Sequence, residues 1–132
     1  NILRLCDFVT PNEIEAEQIT GIPVKTVSDA KVAADKLLEK GASAAVITLG
    51  EQGALFKDSK QIIHQPSFQV GPIVETTGAG DAFNGGLAVA LAEEMPIDKA
   101  LRFACATASI SVTRPGTAPS MPDRNEIDAL LI

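Results

Sequence analysis

Short apolar runs alternate along this chain with segments whose apolar residues recur at helical spacing. "DFVT" predicts a short strand that runs into "PNEIEAEQITG", a helix with Ile14 and Ile19 on its apolar side and Gly21 as its stop. In "SDAKVAADKLLEKG", Ala33, Ala34, Leu37 and Leu38 repeat at helical spacing, Ser28 stands where a cap belongs, and Lys40 and Gly41 suit the last turn and its exit. "SAAVITLG" is too short and too β-branched at its end for another helix and predicts a buried strand. "GALFKDSKQIIHQP" predicts a hairpin turning at Asp58 and Ser59. Three helical patterns follow, Asp81 to Glu93, Asp98 to about Val112 and Asn125 to Leu131, with "TRPGTAPSMPDR" as one long irregular connection. Strands followed by helices through one chain predict an α/β sheet fold.

Composition narrows the class. A chain of 132 residues with a 45% hydrophobic fraction is the size of one domain and can bury a real core. A net charge of -6, with no Trp and no Tyr, lacks both the basic surface and the stacking platforms that nucleic acids require, so no nucleic-acid partner is expected. Cys6 and Cys105 sit in apolar surroundings without C-x-x-C spacing, which points to thiols in a reducing compartment and so to the cytoplasm. No apolar run is long enough to cross a bilayer, and no membrane partner is expected. The opening "NILRLCD", without Met, reads like the interior of a longer protein.

The chemistry concentrates in "ETTGAGDAFNGG". Gly78 and Gly80 can take backbone angles closed to other residues, so successive amides are expected to turn inward as an anion nest, and the helix that follows adds its positive end. A phosphoryl group suits that field. The spacing excludes G-x-G-x-x-G, because Phe83 takes the place of the third glycine, and excludes a P-loop, because no Gly-Lys-Ser/Thr follows. Asp81 has two readings. A carboxylate beside a phosphate site can accept a proton from an attacking hydroxyl, or it can simply cap the helix or favour its dipole.

Four further stretches each have a plain reading. Asn12 and Glu15 in "TPNEIE" have the spacing of a capping box. "TLGEQG" follows a buried strand and reads as an ordinary strand-to-hairpin turn, although α/β sheets bind ligands at such strand ends. The small residues and the Pro-Gly pair of "SISVTRPGTAPS" suit a loop of backbone carbonyls, either an alkali-cation site or a surface connection. His64 has no acidic or Cys partner at metal spacing and reads as structural or exposed.

"TTGAGDAF" resembles the phosphoryl-transfer signature of the ribokinase-like, or PfkB, carbohydrate kinases, usually D-T-T-G-A-G-D-x-F. "TPNEIEAEQITG", "VITLGEQGALF" and "SVTRPGTAPSMP" resemble segments of that family in the same order. The resemblance implies the C-terminal, nucleotide-binding and catalytic part of a three-layer α/β/α ribokinase-like domain, spanning residues 1–132, with the sugar-binding part and the lid outside it. By the same likeness the complete enzyme transfers the γ-phosphate of ATP to a sugar, with D-ribose the first expectation and fructose, ketodeoxygluconate or a nucleoside the alternatives. A noncatalytic nucleotide-sensing module is the reading from another class. Asp81 would be the catalytic base, and the amides of Gly78, Ala79 and Gly80 the anion hole. Thr48, Gly50, Gly53, Asn12 and Cys105 would meet the nucleotide. Glu15, with Asn12, would organise Mg²⁺. Glu75, Thr77, Ser111, Arg114, Gly116 and Ser120 would surround a monovalent cation, commonly K⁺, with Arg114 acting through its carbonyl. Glu75 departs from the family's usual Asp. Family members often form homodimers through the lid.

Overall fold

The only parallel strand pair, β1 (Phe8–Val9) and β2 (Ala44–Thr48), is separated in sequence by two helices, α1 (Glu13–Thr20) and α2 (Val27–Glu39). Parallel strands need such a crossover. The computed structural model describes all residues from Asn1 to Ile132 and divides into two compact units, residues 1–66 and 67–132. The first unit completes its sheet with β3 (Ala54–Lys57) and β4 (Ile62–Gln65), both antiparallel to their neighbours, in the order β1-β2-β3-β4. At the hairpin turn, Asp58 Oδ1 accepts the Lys60 and Gln61 N–H groups at 2.7 and 2.8 Å, which fixes the register.

Small residues set the packing of the first unit. Ala16, Ala30, Ala33 and Ala34 let α1 and α2 close on Ala45, Ile47 and Leu55 of the sheet, with Leu37 filling the space between. The expected apolar face of α1 is not the buried one. Ala16 is fully buried, while Ile14 is 68% and Ile19 41% exposed. Ile14 lies about 200° around the helix from Ala16, so once Ala16 is chosen for close approach Ile14 must face outward. The start of α2 also differs. Thr26, not Ser28, is the cap: its Oγ1 accepts the Asp29 N–H at 3.1 Å, and Asp29 Oδ2 accepts the Thr26 N–H at 2.9 Å. A reciprocal box satisfies two orphan amides where a lone serine would satisfy one. Gly21 ends α1 in the left-handed region with φ 75°, as expected of a helix stop.

The second unit is helical: α3 (Ala79–Ala92), α4 (Ile97–Ser111) and α5 (Arg124–Leu131). α3 begins two residues before the predicted start, and Phe83, Leu87 and Ala90 are its buried face. α3 and α4 meet through Gly86, where an added Cβ would stand 2.7 Å from Thr107 Oγ1 and 3.1 Å from Ala104 Cα. Gly86→Ala therefore overpacks this seam and is expected to destabilise the protein by about 1–3 kcal/mol, read as a lower urea midpoint at unchanged slope. Arg124, at the start of α5, forks onto Glu93 at 2.6 and 3.1 Å and lies over the Phe103 ring, tying all three helices together. No helix is long and apolar enough to cross a membrane.

Candidate active site

The turn before α3 has an open side. Gly78 is the N-cap, with φ 83° and no side chain to cap with, and its carbonyl accepts the first helical hydrogen bond from the Ala82 N–H at 2.9 Å. The Ala79 N–H closes the turn onto the Thr76 carbonyl at 3.1 Å. Of the three amides expected to face an anion, Ala79 is thus engaged within the turn. Gly78 and Gly80 have no such partner, and the Asp81 N–H, also in the first turn, adds a further unpaired donor. Gly80, unlike Gly78, does not take a positive φ but lies in the helical backbone of α3, so only Gly78 needs glycine's freedom; a Cβ added at Gly80 would meet nothing within 4 Å, and this side of the turn is accessible.

Asp81 is exposed and its side chain makes no hydrogen bond. It is not the cap, because the cap position belongs to Gly78. Capping is removed, while its place in the first turn of α3 still lets its charge favour the helix dipole. Asp81 is a bare carboxylate in the first turn of α3, near the unpaired N–H groups of Gly78 and Gly80. That combination suits a proton acceptor next to a phosphoryl site.

Behind the turn, Glu75 joins two distant segments. The Val74 and Glu75 N–H groups both donate to the Val112 carbonyl, at 2.8 and 3.2 Å, which docks this segment on the end of α4. Glu75 Oε2 then accepts the Gly116 N–H at 2.8 Å. That bond, together with one from the Thr77 hydroxyl, holds the Glu75 carboxyl below the ordinary carboxylate range. Gly116, at φ 86°, turns the loop so that Thr117 rests on Gly78, where an added Cβ would come within 3.2 Å of Thr117 Cγ2.

The expected cation residues are therefore gathered unevenly. Glu75, Thr77 and Gly116 come together, and the carbonyls of Arg114 and Gly116 accept no hydrogen bond, which leaves hard oxygens suited to an alkali ion. Ser111 and Ser120 are buried and used locally, their hydroxyls donating to Ala108 at 2.8 Å and Thr117 at 2.6 Å. The guanidinium of Arg114 pairs with Glu126, which keeps its charge away from the carbonyl.

In the first unit, Asn12 and Thr48 form a parallel bridge at the carboxyl ends of β1 and β2, and the Thr48 N–H donates to Pro11 at 3.0 Å. This is where ligands meet α/β sheets. Gly50 follows at φ 53° and Gly53 at φ 89°, bounding a tight turn that the Leu49 N–H closes onto Gly53 at 2.8 Å. Asn12 and Glu15 form the capping box, with both bonds at 2.9 Å. Glu15 Oε1 accepts no hydrogen bond, and no cluster of three acidic, His or Cys side chains surrounds it. One carboxylate with an amide fits Mg²⁺, which keeps its waters and leans on phosphates, better than a metal that needs a protein cage.

Residues 1–124 match the profile of the pfkB family carbohydrate kinases. The chain belongs to the pfkB family. It is 43% identical to a Haemophilus influenzae ribokinase over 95% of its own length and 40% of that protein's. It is 40% identical to a Salmonella typhi deoxyribokinase over 96% and 41%. Among solved structures it is similar to an Arabidopsis thaliana ribokinase complexed with ribose and ATP, with TM-score 0.94, 36% identity and coverage of 98% of this chain and 42% of that one. An Escherichia coli phosphofructokinase-2 in complex with potassium matches with TM-score 0.82 at 27% identity, over 94% and 40%. The chain spans about two fifths of the length of the curated relatives it matches. Its mixed α/β fold matches the corresponding two fifths of ribokinase structures.

Within this pfkB chain, Cys105 stands apart. It is 3% exposed in the middle of α4, and burial pushes its thiol up to about 12. That is a core position on α4. Native-state alkylation is expected to label the half-buried Cys6 well before Cys105, as read by peptide mass spectrometry. Two residues that bear on the site escaped sequence reasoning: Thr117, which seats Gly78, and Glu126, which holds Arg114. Neither lies in a recognisable motif with its partner.

Proposed function

We propose that the full-length protein is an ATP-dependent sugar kinase that transfers the γ-phosphoryl group to the 5-hydroxyl of D-ribose, with residues 1–132 as its nucleotide-binding and catalytic part. The observation that carries this reading is the exposed Asp81 carboxylate on the first turn of α3, beside the open amides of Gly78 and Gly80. Asp81 accepts the hydroxyl proton as the sugar oxygen bonds to phosphorus and the bond to the ADP oxygen breaks. Negative charge gathers on the γ-oxygens, where preorganised N–H groups are most effective. Gly78 and Gly80 supply two of these donors. Ala79 becomes a third by turning its 3.1 Å hydrogen bond from Thr76 toward the phosphoryl group.

Thr48, Gly50 and Gly53 contact the nucleotide in this reading. Asn12 and Glu15 would hold Mg²⁺, whose charge offsets that of the phosphates when it is bound. Glu75, Thr77 and the carbonyls of Arg114 and Gly116 would hold an alkali cation. Glu75 already organises the loop by taking the Gly116 amide.

A second reading has a specific support. A deoxyribokinase relative at 40% identity favours 2-deoxy-D-ribose as the acceptor nearly as well as ribose. The test is the full-length protein with ATP and Mg²⁺ against D-ribose, 2-deoxy-D-ribose, fructose, ketodeoxygluconate and a nucleoside, with the phosphorylated position identified by NMR. D-ribose 5-phosphate as the fastest product supports the proposal. ATP binding without turnover on any acceptor would leave the noncatalytic module as the answer.

A further inference from the structure

Glu126 is bound from two directions. Its Oε2 accepts the Asp123 N–H at 2.9 Å and completes the capping box of α5. The same carboxylate takes the Arg114 fork, Nη1 on Oε2 at 3.3 Å and Nη2 on Oε1. The fork fixes direction as well as distance. Both side chains are more than a third exposed, so the pair adds little to global stability and its effect is chiefly orientational.

The residues next to Arg114 carry that orientation forward. The Arg114 N–H donates to the Ser111 carbonyl at 3.2 Å, so the residue is held at its main chain and at its side chain. Pro115 then restricts the backbone. Gly116 donates to Glu75, and Thr117 lies against Gly78, the residue that opens the anion turn. A rotation of the chain at Arg114 therefore reaches the Gly78 amide through two packed neighbours.

We infer that Glu126 is a positioning residue: through Arg114 it sets the loop that places Gly116 and Thr117, and through them the turn that receives the transferred group. This inference rests on the phosphoryl-transfer reading of that turn. It concerns a helix whose residues do not themselves approach the reacting atoms.

The discriminating variant is Glu126→Gln in the full-length protein. Gln still accepts the Asp123 N–H and keeps the capping box, while the charged fork with Arg114 is lost. Arg114→Lys is the companion, keeping charge but not fork geometry. Four quantities are measured: kcat, KM for ATP, the thermal midpoint, and hydrogen exchange at the bonded Ala79 and Gly116 amides.

Both variants are expected to lower kcat about tenfold or more, as misplaced catalytic geometry does. KM for ATP and the thermal midpoint stay near the parent values, and the Ala79 and Gly116 amides, bonded to Thr76 and Glu75, exchange faster while the rest of α3 and α4 remains protected. Parental kcat in Glu126→Gln overturns the inference, and so does a loss of kcat accompanied by lost protection throughout α3 and α4, since that is a purely structural role. The two readings separate cleanly. Normal turnover in Asp81→Asn sinks the phosphoryl-transfer reading, whereas unchanged exchange at Ala79 and Gly116 in Glu126→Gln sinks the coupling alone.

Discussion

Asp81→Asn in the full-length protein is expected to lower kcat by about 10²- to 10⁴-fold while ATP binds at least as tightly as before. The side chain is exposed and makes no hydrogen bond, so an isosteric amide leaves the fold intact. Losing the negative charge in the first turn costs about 0.3–1 kcal/mol of helix-dipole interaction, a small change in thermal midpoint. Removing a carboxylate from beside a phosphate site also removes a repulsion, which gives the expected direction for ATP. Isothermal titration and steady-state kinetics on one preparation check both halves. A variant that lost only thermal stability, with kcat kept, would mark Asp81 as a dipole residue and nothing more.

The second large effect is expected at Gly78, and its contrast with Gly80 is the informative part. Gly78→Val forces a β-branched residue to φ 83° and drives its Cβ to within 3.2 Å of Thr117 Cγ2 and 3.4 Å of Thr117 Cα. The left-handed conformation costs about 1–2 kcal/mol and the overpacking about 1–3 kcal/mol more. Both unfolding stability and kcat/KM should fall. Gly80→Ala has neither problem: an added Cβ meets nothing within 4 Å, and Ala is the better helix former by about 1 kcal/mol. Its stability should hold or rise. If a phosphoryl group approaches the Gly80 amide, the methyl stands in its way and kcat/KM falls all the same, by about 10²-fold for a displacement near 1 Å. Urea unfolding paired with kcat/KM separates the two. A Gly80→Ala protein both stable and fully active would move the anion away from that amide.

Much of the fold could be read from local pattern because local physics produced it. The Asp58 turn and the Gly21 stop depend on residues within one helical turn or one hairpin of each other. The errors came where two local solutions competed. Ser28 and Thr26 were both adequate caps, and the reciprocal bond with Asp29 decided between them. Ile14 and Ile19 predicted an apolar face for α1, but the close approach of α1 and α2 selected Ala16, which no hydrophobicity pattern favours over isoleucine.

The anion turn was legible for the same reason that the clasp behind it was not. Glu75 to Asp81 is one continuous stretch in which glycine spacing, the start of a helix and an acidic residue can be read together. Glu75 and Gly116 are 41 residues apart, and Arg114 and Glu126 are 12 apart across an irregular loop. Nothing at either position signals the other.

By itself, then, the sequence determined where backbone could turn, which segments would coil, and which carboxylate would stand at the start of α3. Backbone angles and caps are settled within a few residues, so those choices were present before any packing. Only the tertiary structure decided that Glu75 reaches across to Gly116 and that Thr117 seats Gly78. Those pairings need α3 and α4 already packed through Gly86, because only then does the end of α4 bring the loop within hydrogen-bond distance of the turn.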